Sequence, residues 1–459
     1  MTTPPATSKI PPGRPETLTT EQEAKLKQLW CACLKVFGVL EPSESVPASD
    51  ATTPDDHSTA TTEGSSTPKK KSLGRLLGRS KKDKEPKGKE KEVATPAVSV
   101  AVDDSDDKYG HNKEFQAVLA SQTPAELRGA FWDMVKCDNP DGFLLRFLRA
   151  RKWDVDKALV MLVATMGWRA KEMDVAGVVR SGETGAITEK DEGFMLQLRL
   201  GKSFLHGVDK DGRPICFVRV RLHKQADQSE KSLERYTIYI METARLMLRS
   251  PVDTACVVFD MTNFSLANMD YTPVKFMIKC FEAHYPESLG ICLVHKAPWV
   301  FQGIWSIIKG WLDPVVASKI NFTKTTEELE QFIPRSQIIK ELGGDEDWEY
   351  NYIEPTESED AALNDTARLR SLQTERDGVV KQYEELTKAW IAADGEASAE
   401  RKSRRNELAK KLEIGYWAMD KHLRGRTFYD RTGVLGADGS VNFYPAKREQ
   451  ATADNSDID

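Results

Sequence analysis

The sequence predicts an α/β protein: a largely parallel sheet with helical segments before and after it in the chain. Three observations carry that expectation. Strand-like and helix-like runs alternate through the middle of the chain, which favours parallel strands joined by helical crossovers. "TACVVFD" (254–260) and "GICLVHK" (290–296) are apolar without alternation, as strands covered on both faces are. The flanking segments instead repeat their apolar residues at helical spacing.

Taken in order, Thr19–Leu40 places Leu26, Leu29, Trp30, Cys33, Leu34 and Phe37 on one face of an amphipathic helix. From Glu41 to about Asp107 the chain is rich in Ser, Thr, Pro, Lys and Asp and has no aromatic residue. Such a segment buries too little to offset its ordering entropy, so a disordered insertion is expected. Within it, Lys69–Glu92 holds nine Lys and two Arg against four acids, a net +7. Two readings stand: a solvated linker, or a weak contact with anionic lipid aided by Leu73, Leu76 and Leu77. Helices follow over 112–135 and 142–170, with Asp154 as an N-cap. A turn at Asp211–Gly212 leads into a strand with Cys216, Val218, Val220 and Leu222 on one side. Then come a helix over Ser229–Arg249, the strand "TACVVFD", a helix over Pro273–His284, the strand "GICLVHK", a short strand "KINFT" and a helix "TEELEQFI". Beyond residue 360 the chain is charged and helical to about Arg424, with a stripe of Leu369, Leu372, Val379, Tyr383, Leu386 and Trp390 that packs on the main body or on a neighbouring helix. An extended tail turns at Asp438–Gly439.

Composition narrows the function. The net charge of −6 gives no whole-chain affinity for nucleic acid. Seven scattered cysteines without a CxxC read as small core residues in a reducing compartment. The N-terminus lacks the apolar segment of a secretory signal, and no run of eighteen apolar residues occurs. A cytosolic or peripheral membrane protein is expected. "LQLRLGKS" ends like a phosphate-binding loop, but Leu196 stands where the first Gly is needed. GxSxG, HExxH and GxGxxG are missing. His206, His223, His284 and His295 fall in different elements and read as structural. No catalytic residue, no metal ligand and no enzyme are expected.

The stretch "PWVFQGIWSIIKGWLDPVV" (298–316) is strongly apolar in an otherwise polar chain. As a helix from Trp299 to Leu312 it puts Gln302, Ser306, Lys309 and Asp313 on one narrow face and apolar residues on the rest. At ~1.5 Å per residue it is about 20 Å long, short of the ~30 Å core of a bilayer. Spacing leaves two readings: a fully buried helix, or one that lines an apolar cavity inside and meets something greasy outside.

Neighbouring motifs bear on that choice. "LLRFLRARKWDVDKAL", "DGRP", "VFDMTNFSLANMDY", "FEAHYPESLG", "HKAPWVFQGIWSIIKGWLDPVVASKI" and "ELGG" stand in this order between about Gln116 and Trp348. In these the chain resembles the CRAL-TRIO family, in particular its fungal phosphatidylinositol transfer subfamily. The resemblance implies a mixed, largely parallel sheet flooring an apolar pocket, an N-terminal helical bundle and C-terminal helices. It implies these segments: 1–15 disordered, 16–40 the first bundle helix, 41–112 the basic insertion, 113–180 the N-terminal helical domain, 185–348 the lipid-binding domain, 360–425 the helical extension and 426–459 the tail. The apolar stretch becomes a mobile gate, with Trp299, Phe301, Ile304, Trp305, Ile308, Trp311 and Leu312 meeting acyl chains or membrane. Lys319 falls where the family contacts the inositol-lipid phosphate, and Glu287 where it meets the inositol ring. Arg151 and Lys152 match a basic pair, and Ser265 a serine near a phosphatidylcholine headgroup; Asp260 matches the strand end beside it. Val316 stands where a hydroxyl residue is common. Phe281 and Cys216 replace Ser and Tyr, which argues against phosphatidylcholine as second ligand. The implied function is exchange of one phosphatidylinositol between membranes, or its presentation to lipid kinases. The alternative is a carrier or sensor of a neutral apolar lipid such as a sterol precursor or fatty acid. The implied ligand is a bound lipid with no other cofactor, the implied partners are phospholipid and transient membrane surfaces, not nucleic acid, and the implied location is cytoplasmic, at endosome, endoplasmic reticulum or lipid droplet.

Overall fold

A computed structural model describes residues 10–41 and 107–445. The expectations for residues 1–9, for 42–106 including Lys69–Glu92, and for 446–459 lie outside the described residues. Five strands form one sheet in chain order: β1 (Ser203–Val208), β2 (Pro214–Arg219), β3 (Ala255–Asp260), β4 (Leu289–His295) and β5 (Ile320–Thr323). β1 and β2 are antiparallel, joined by the turn that Asp209 organises by accepting from the Asp211 and Arg213 amides. The remaining pairs are parallel. The strand expected to run through Leu222 stops at Arg219, where a 3₁₀ turn over Val220–Leu222 begins.

Before the sheet stand α1 (Thr20–Val36), α2 (His111–Ser121), α3 (Pro124–Val135), α4 (Pro140–Ala150), α5 (Val155–Gly167), α6 (Val175–Thr188) and α7 (Glu192–Arg199). Their starts carry capping chemistry: Thr19 and Thr123 form capping boxes, and Asp154 accepts from the Lys157 amide. Between strands come α8 (Glu230–Leu246), α9 (Tyr271–Lys279), α10 (Phe301–Lys309) and α11 (Pro314–Ser318). α12 (Thr326–Leu329), α13 (Thr366–Ile391), α14 (Gly395–Leu423) and α15 (Phe428–Arg431) follow β5. α9 is shorter than the expected Pro273–His284 helix, because its last turn is a π-turn over Cys280–His284.

α1, α3, α4, α5, α13 and α14 share one core around Trp30, Phe131, Trp132 and Tyr383. At its centre the fully buried Arg405 donates both terminal nitrogens to Asp141, at 2.9 and 2.6 Å. Trp30 and Tyr383 also donate to that carboxylate. Four helices far apart in the chain thus close one satisfied ionic site, which costs least when every lone pair is used. The stripe on α13 runs through Leu372, Val380, Tyr383 and Trp390, with Arg376, Glu384 and Thr387 buried among them.

Candidate functional site: an apolar cavity under a short amphipathic helix

Alternate residues of the strands face opposite ways. Ile215, Phe217, Cys256, Val258 and Leu293 pack against Leu329, Ile333, Ile338 and Leu342. Val218, Val257, Phe259, Cys292 and Val294 face the other side and line a cavity of about 1340 Å³, counting its opening to solvent. The far wall is α9, through Val274, Met277 and Ile278, and α10, through Phe301, Trp305 and Ile308. Val316 and Ile320 border the end where the parallel strands begin; Lys202, Arg219, His223 and Asp270 border the end where they finish. A second chamber of about 820 Å³ lies against Met134, Phe147, Cys216 and Met241. Phe281 and Val257 line both spaces and form the partition between them.

α10 covers the cavity with one face. Phe301, Ile304 and Ile308 are buried, while Gln302, Ser306 and Lys309 are exposed, the narrow polar face that the spacing predicts. The helix spans nine residues, not the fourteen from Trp299 to Leu312. Trp299 precedes it in a turn and is 85% exposed. Trp311 and Leu312 follow it half-buried, with Trp311 edge-on to Tyr271 at 5.4 Å. Outward apolar surface on α10 comes from Ile307, 49% exposed. Of ten exposed large apolar residues among the described residues, five (Leu266, Trp299, Ile307, Val315 and Phe322) fall within 266–322; this apolar surface concentrates on the elements around the cavity. The end of α10 is clasped by Glu282, which accepts from the Asp313 amide at 2.7 Å, from Lys108 at 2.7 Å and from Tyr109 at 2.6 Å.

The five expected headgroup residues do not form one cluster. Lys319 and Glu287 come together at 3.5 Å, each side chain about a fifth exposed, beside Val316 and Ile320 at the strand-start end. Arg146 donates to the Glu287 carbonyl at 2.9 Å and fixes that turn, in which Glu287 has a φ of 54°. Arg151 ends α4 and approaches His111 at 3.2 Å, and the exposed Lys152 follows in the turn to α5. Ser265 follows β3 at the opposite end of the sheet and bonds Asn268. Asp260 pairs with Arg221 at 2.7 Å.

Sequence reasoning missed the polar end of the cavity. Lys202 is 5% exposed, and its ammonium lies 3.2 Å from His223 Nδ1 and 3.3 Å from Gln228 Oε1. An ammonium can only donate, so His223 Nδ1 accepts and Nε2 carries the proton, 3.3 Å from Asp270 Oδ2. Burial lowers the Lys202 pKa to about 8, against the pull of Asp227 and Asp270. Burial also lowers the His223 pKa, with Lys202 adding to the effect. The available signal was "GKS", a lysine immediately before a strand, weighed only as a phosphate loop. All seven cysteines are free and six are buried. Among the described residues no helix is long and apolar enough to cross a membrane.

Two family models match this chain: the CRAL/TRIO domain over residues 198–344 and the CRAL/TRIO N-terminal domain over 111–164. A CRAL-TRIO domain-containing protein of Schizosaccharomyces pombe is 46% identical, over 93% of both chains. Phosphatidylinositol transfer protein CSR1 of Eremothecium gossypii is 41% identical, over 92% of this chain and 98% of its own. A second CRAL-TRIO domain-containing protein of S. pombe is 30% identical over 69% of this chain and 89% of its own. The chain belongs to the CRAL/TRIO family of lipid-binding proteins.

Proposed function

We propose that this protein carries one phosphatidylinositol in the cavity and exchanges it at membrane surfaces, where it can also present the lipid to modifying enzymes. The observation that carries the reading is the apolar cavity closed by α10, with the Glu287–Lys319 pair at its rim. The 41% identity to a phosphatidylinositol transfer protein supports the choice of lipid. Lys319 would turn from Glu287 to the phosphate, and Glu287 would accept from inositol hydroxyls, so both half-buried polar partners stay satisfied. Arg151 and Lys152 would add positive charge on the helical side. Ser265 would not share that headgroup, since it sits at the far end of the sheet. Phe281 and Val316 make the wall apolar where hydroxyl groups were expected, which favours an apolar counter-ligand over phosphatidylcholine.

Transfer through water is closed to such a ligand. Two acyl chains shield on the order of 30 methylenes at ~0.8 kcal/mol each, roughly 24 kcal/mol. The cavity must open against a bilayer, and the exposed Trp299, Ile307, Val315 and Phe322 would face its interface. Lys319→Ala and Glu287→Ala should each lower phosphatidylinositol transfer between vesicles by about tenfold or more, with the melting temperature little changed. Wild-type rates in both variants would refute the headgroup assignment.

A further inference from the structure

The cavity holds one buried cation that the phosphatidylinositol site does not use. Lys202 lies where the parallel strands end, and Lys319 where they begin. A six-residue strand at ~3.3 Å per residue separates them by roughly 20 Å. The other cations near Lys202 are matched: Arg219 pairs with Glu341 at 2.5 Å, and Arg221 with Asp260 and Glu341. Lys202 has only neutral partners at hydrogen-bond distance, His223 and Gln228. Gln228 Oε1 is already shared with Gln197 Nε2 at 3.0 Å. An ammonium has three N–H groups, and the third has no protein acceptor. Asp227 and Asp270 attract it only without a direct hydrogen bond, and Asp270 is committed to His223 Nε2 and to the Thr272 amide. A charge buried without its own counter-ion is costly and is normally paired. The cavity lining to which Lys202 belongs is mostly apolar, with Val218, Leu233, Phe259 and Met261 among its residues.

We propose that Lys202 anchors a second ligand, a single-chain fatty acid that lies in the cavity with its carboxylate on Lys202 Nζ and its chain along the sheet toward Val316 and Ile320. The orientation is the reverse of that of the phosphatidylinositol. One free donor suits a monoanionic carboxylate, whereas a phosphate would demand several. The two ligands would compete for one apolar space while using headgroup sites at opposite ends. The inference rests on reading the cavity as a lipid chamber and not on the assignment of Lys319 and Glu287.

The test titrates the full chain with a fluorescent eighteen-carbon polyene fatty acid, its methyl ester, and a lysophosphatidic acid. The wild type should prefer the acid to the ester. Lys202→Met should weaken the acid by about ten- to a hundredfold and leave the ester unchanged, which also reports that the variant is folded. Equal acid affinity in wild type and Lys202→Met overturns the proposal, as does equal affinity of the wild type for acid and ester. A Lys202-dependent preference for lysophosphatidic acid overturns the carboxylate assignment. Should Lys202→Met not fold, the wild type still decides. Acid affinity should fall as pH rises above about 8, where the free ammonium discharges, while ester affinity stays flat. The charged and titratable groups around Lys202 are Arg219, His223, Asp227 and Asp270. A flat acid profile from pH 7 to 10 overturns the proposal. Failure of the wild type to bind either acid or ester overturns it too, and vesicle transfer of phosphatidylinositol then shows whether the lipid chamber itself survives.

Discussion

The two faces of the sheet are made from alternate residues of the same strands, yet one is solid and the other hollow. Phe217, Cys256, Val258 and Leu293 are at most 1% exposed beneath α12 and the turns after it. Val218, Val257 and Phe259 are as apolar and sit on the same strands, but remain half-buried because α9 and α10 stand off from them. The contrast separates two tasks. Interior packing at close to crystal density holds the fold together on one face; the space left on the other is what a ligand fills. Burial of a lipid there returns the contacts that the empty face lacks, and any molecule that binds only the native state also stabilises it.

The largest effect that can break this contrast comes from one truncation on each face. Phe217→Ala should cost about 3–5 kcal/mol in chemical denaturation, whereas Phe259→Ala on the hollow face should cost about 1 kcal/mol in ligand-free protein. Equal losses would show that both faces are load-supporting. Acid should next reveal the packed regions. Burial pushes His206, stacked on Trp348, down to about 4, and His284, stacked on Trp168, down to about 2. These folded values lie below the unfolded ~6.5, so the fold keeps both imidazoles neutral while the unfolded chain takes up protons. Their stabilisation is complete well above pH ~6.5 and declines as pH falls toward the folded values, approaching ~1.4 kcal/mol per pH unit for each group below pH ~5.5. Denaturation midpoints should drop between pH 6.5 and 5.5 by an amount equivalent to about 2 kcal/mol for the two groups together; a His206→Phe variant with an unaltered slope would remove His206 from the account.

Smaller effects sharpen the role of α10. Ile307→Asp, on the outer face, should change stability by no more than ~0.5 kcal/mol and still abolish vesicle contact and transfer. Ile308→Asp, on the inner face, should empty the cavity or unfold its wall. If both variants simply unfold, α10 is ordinary core and not a gate. Glu282→Gln should have the mildest consequence. It weakens the clasp on the Asp313 amide by about 1 kcal/mol, so transfer should change a few-fold, read against an unchanged melting temperature.

What the sequence disclosed was local. The polar face of α10, the cap at Asp154 and the strand "TACVVFD" follow from spacing over a few residues, and the structure repeats them. It could not show that "TACVVFD" is apolar on both sides for different reasons, because a residue facing a cavity and one facing packed core have the same chemistry. Nor could it show that Ile304 turns inward while Ile307 turns out: in so apolar a helix the choice depends on where the sheet lies. The helix at 299–312 shortened to Phe301–Lys309 because turns replace the helical hydrogen bonds on either side of it. Long-range pairings were invisible for the same reason. Arg405 and Asp141 are 264 positions apart, and Lys202 meets His223 only after β1 and β2 have paired.

The central claim is that the hollow face exists to hold one phosphatidylinositol. Purified protein, extracted with organic solvent and analysed by quantitative mass spectrometry, tests it most directly. The account predicts phosphatidylinositol at close to one molecule per chain after incubation with mixed-lipid vesicles, and a marked loss of it in Lys319→Ala. A chain that emerges without phospholipid, or loaded with neutral lipid alone, would contradict it.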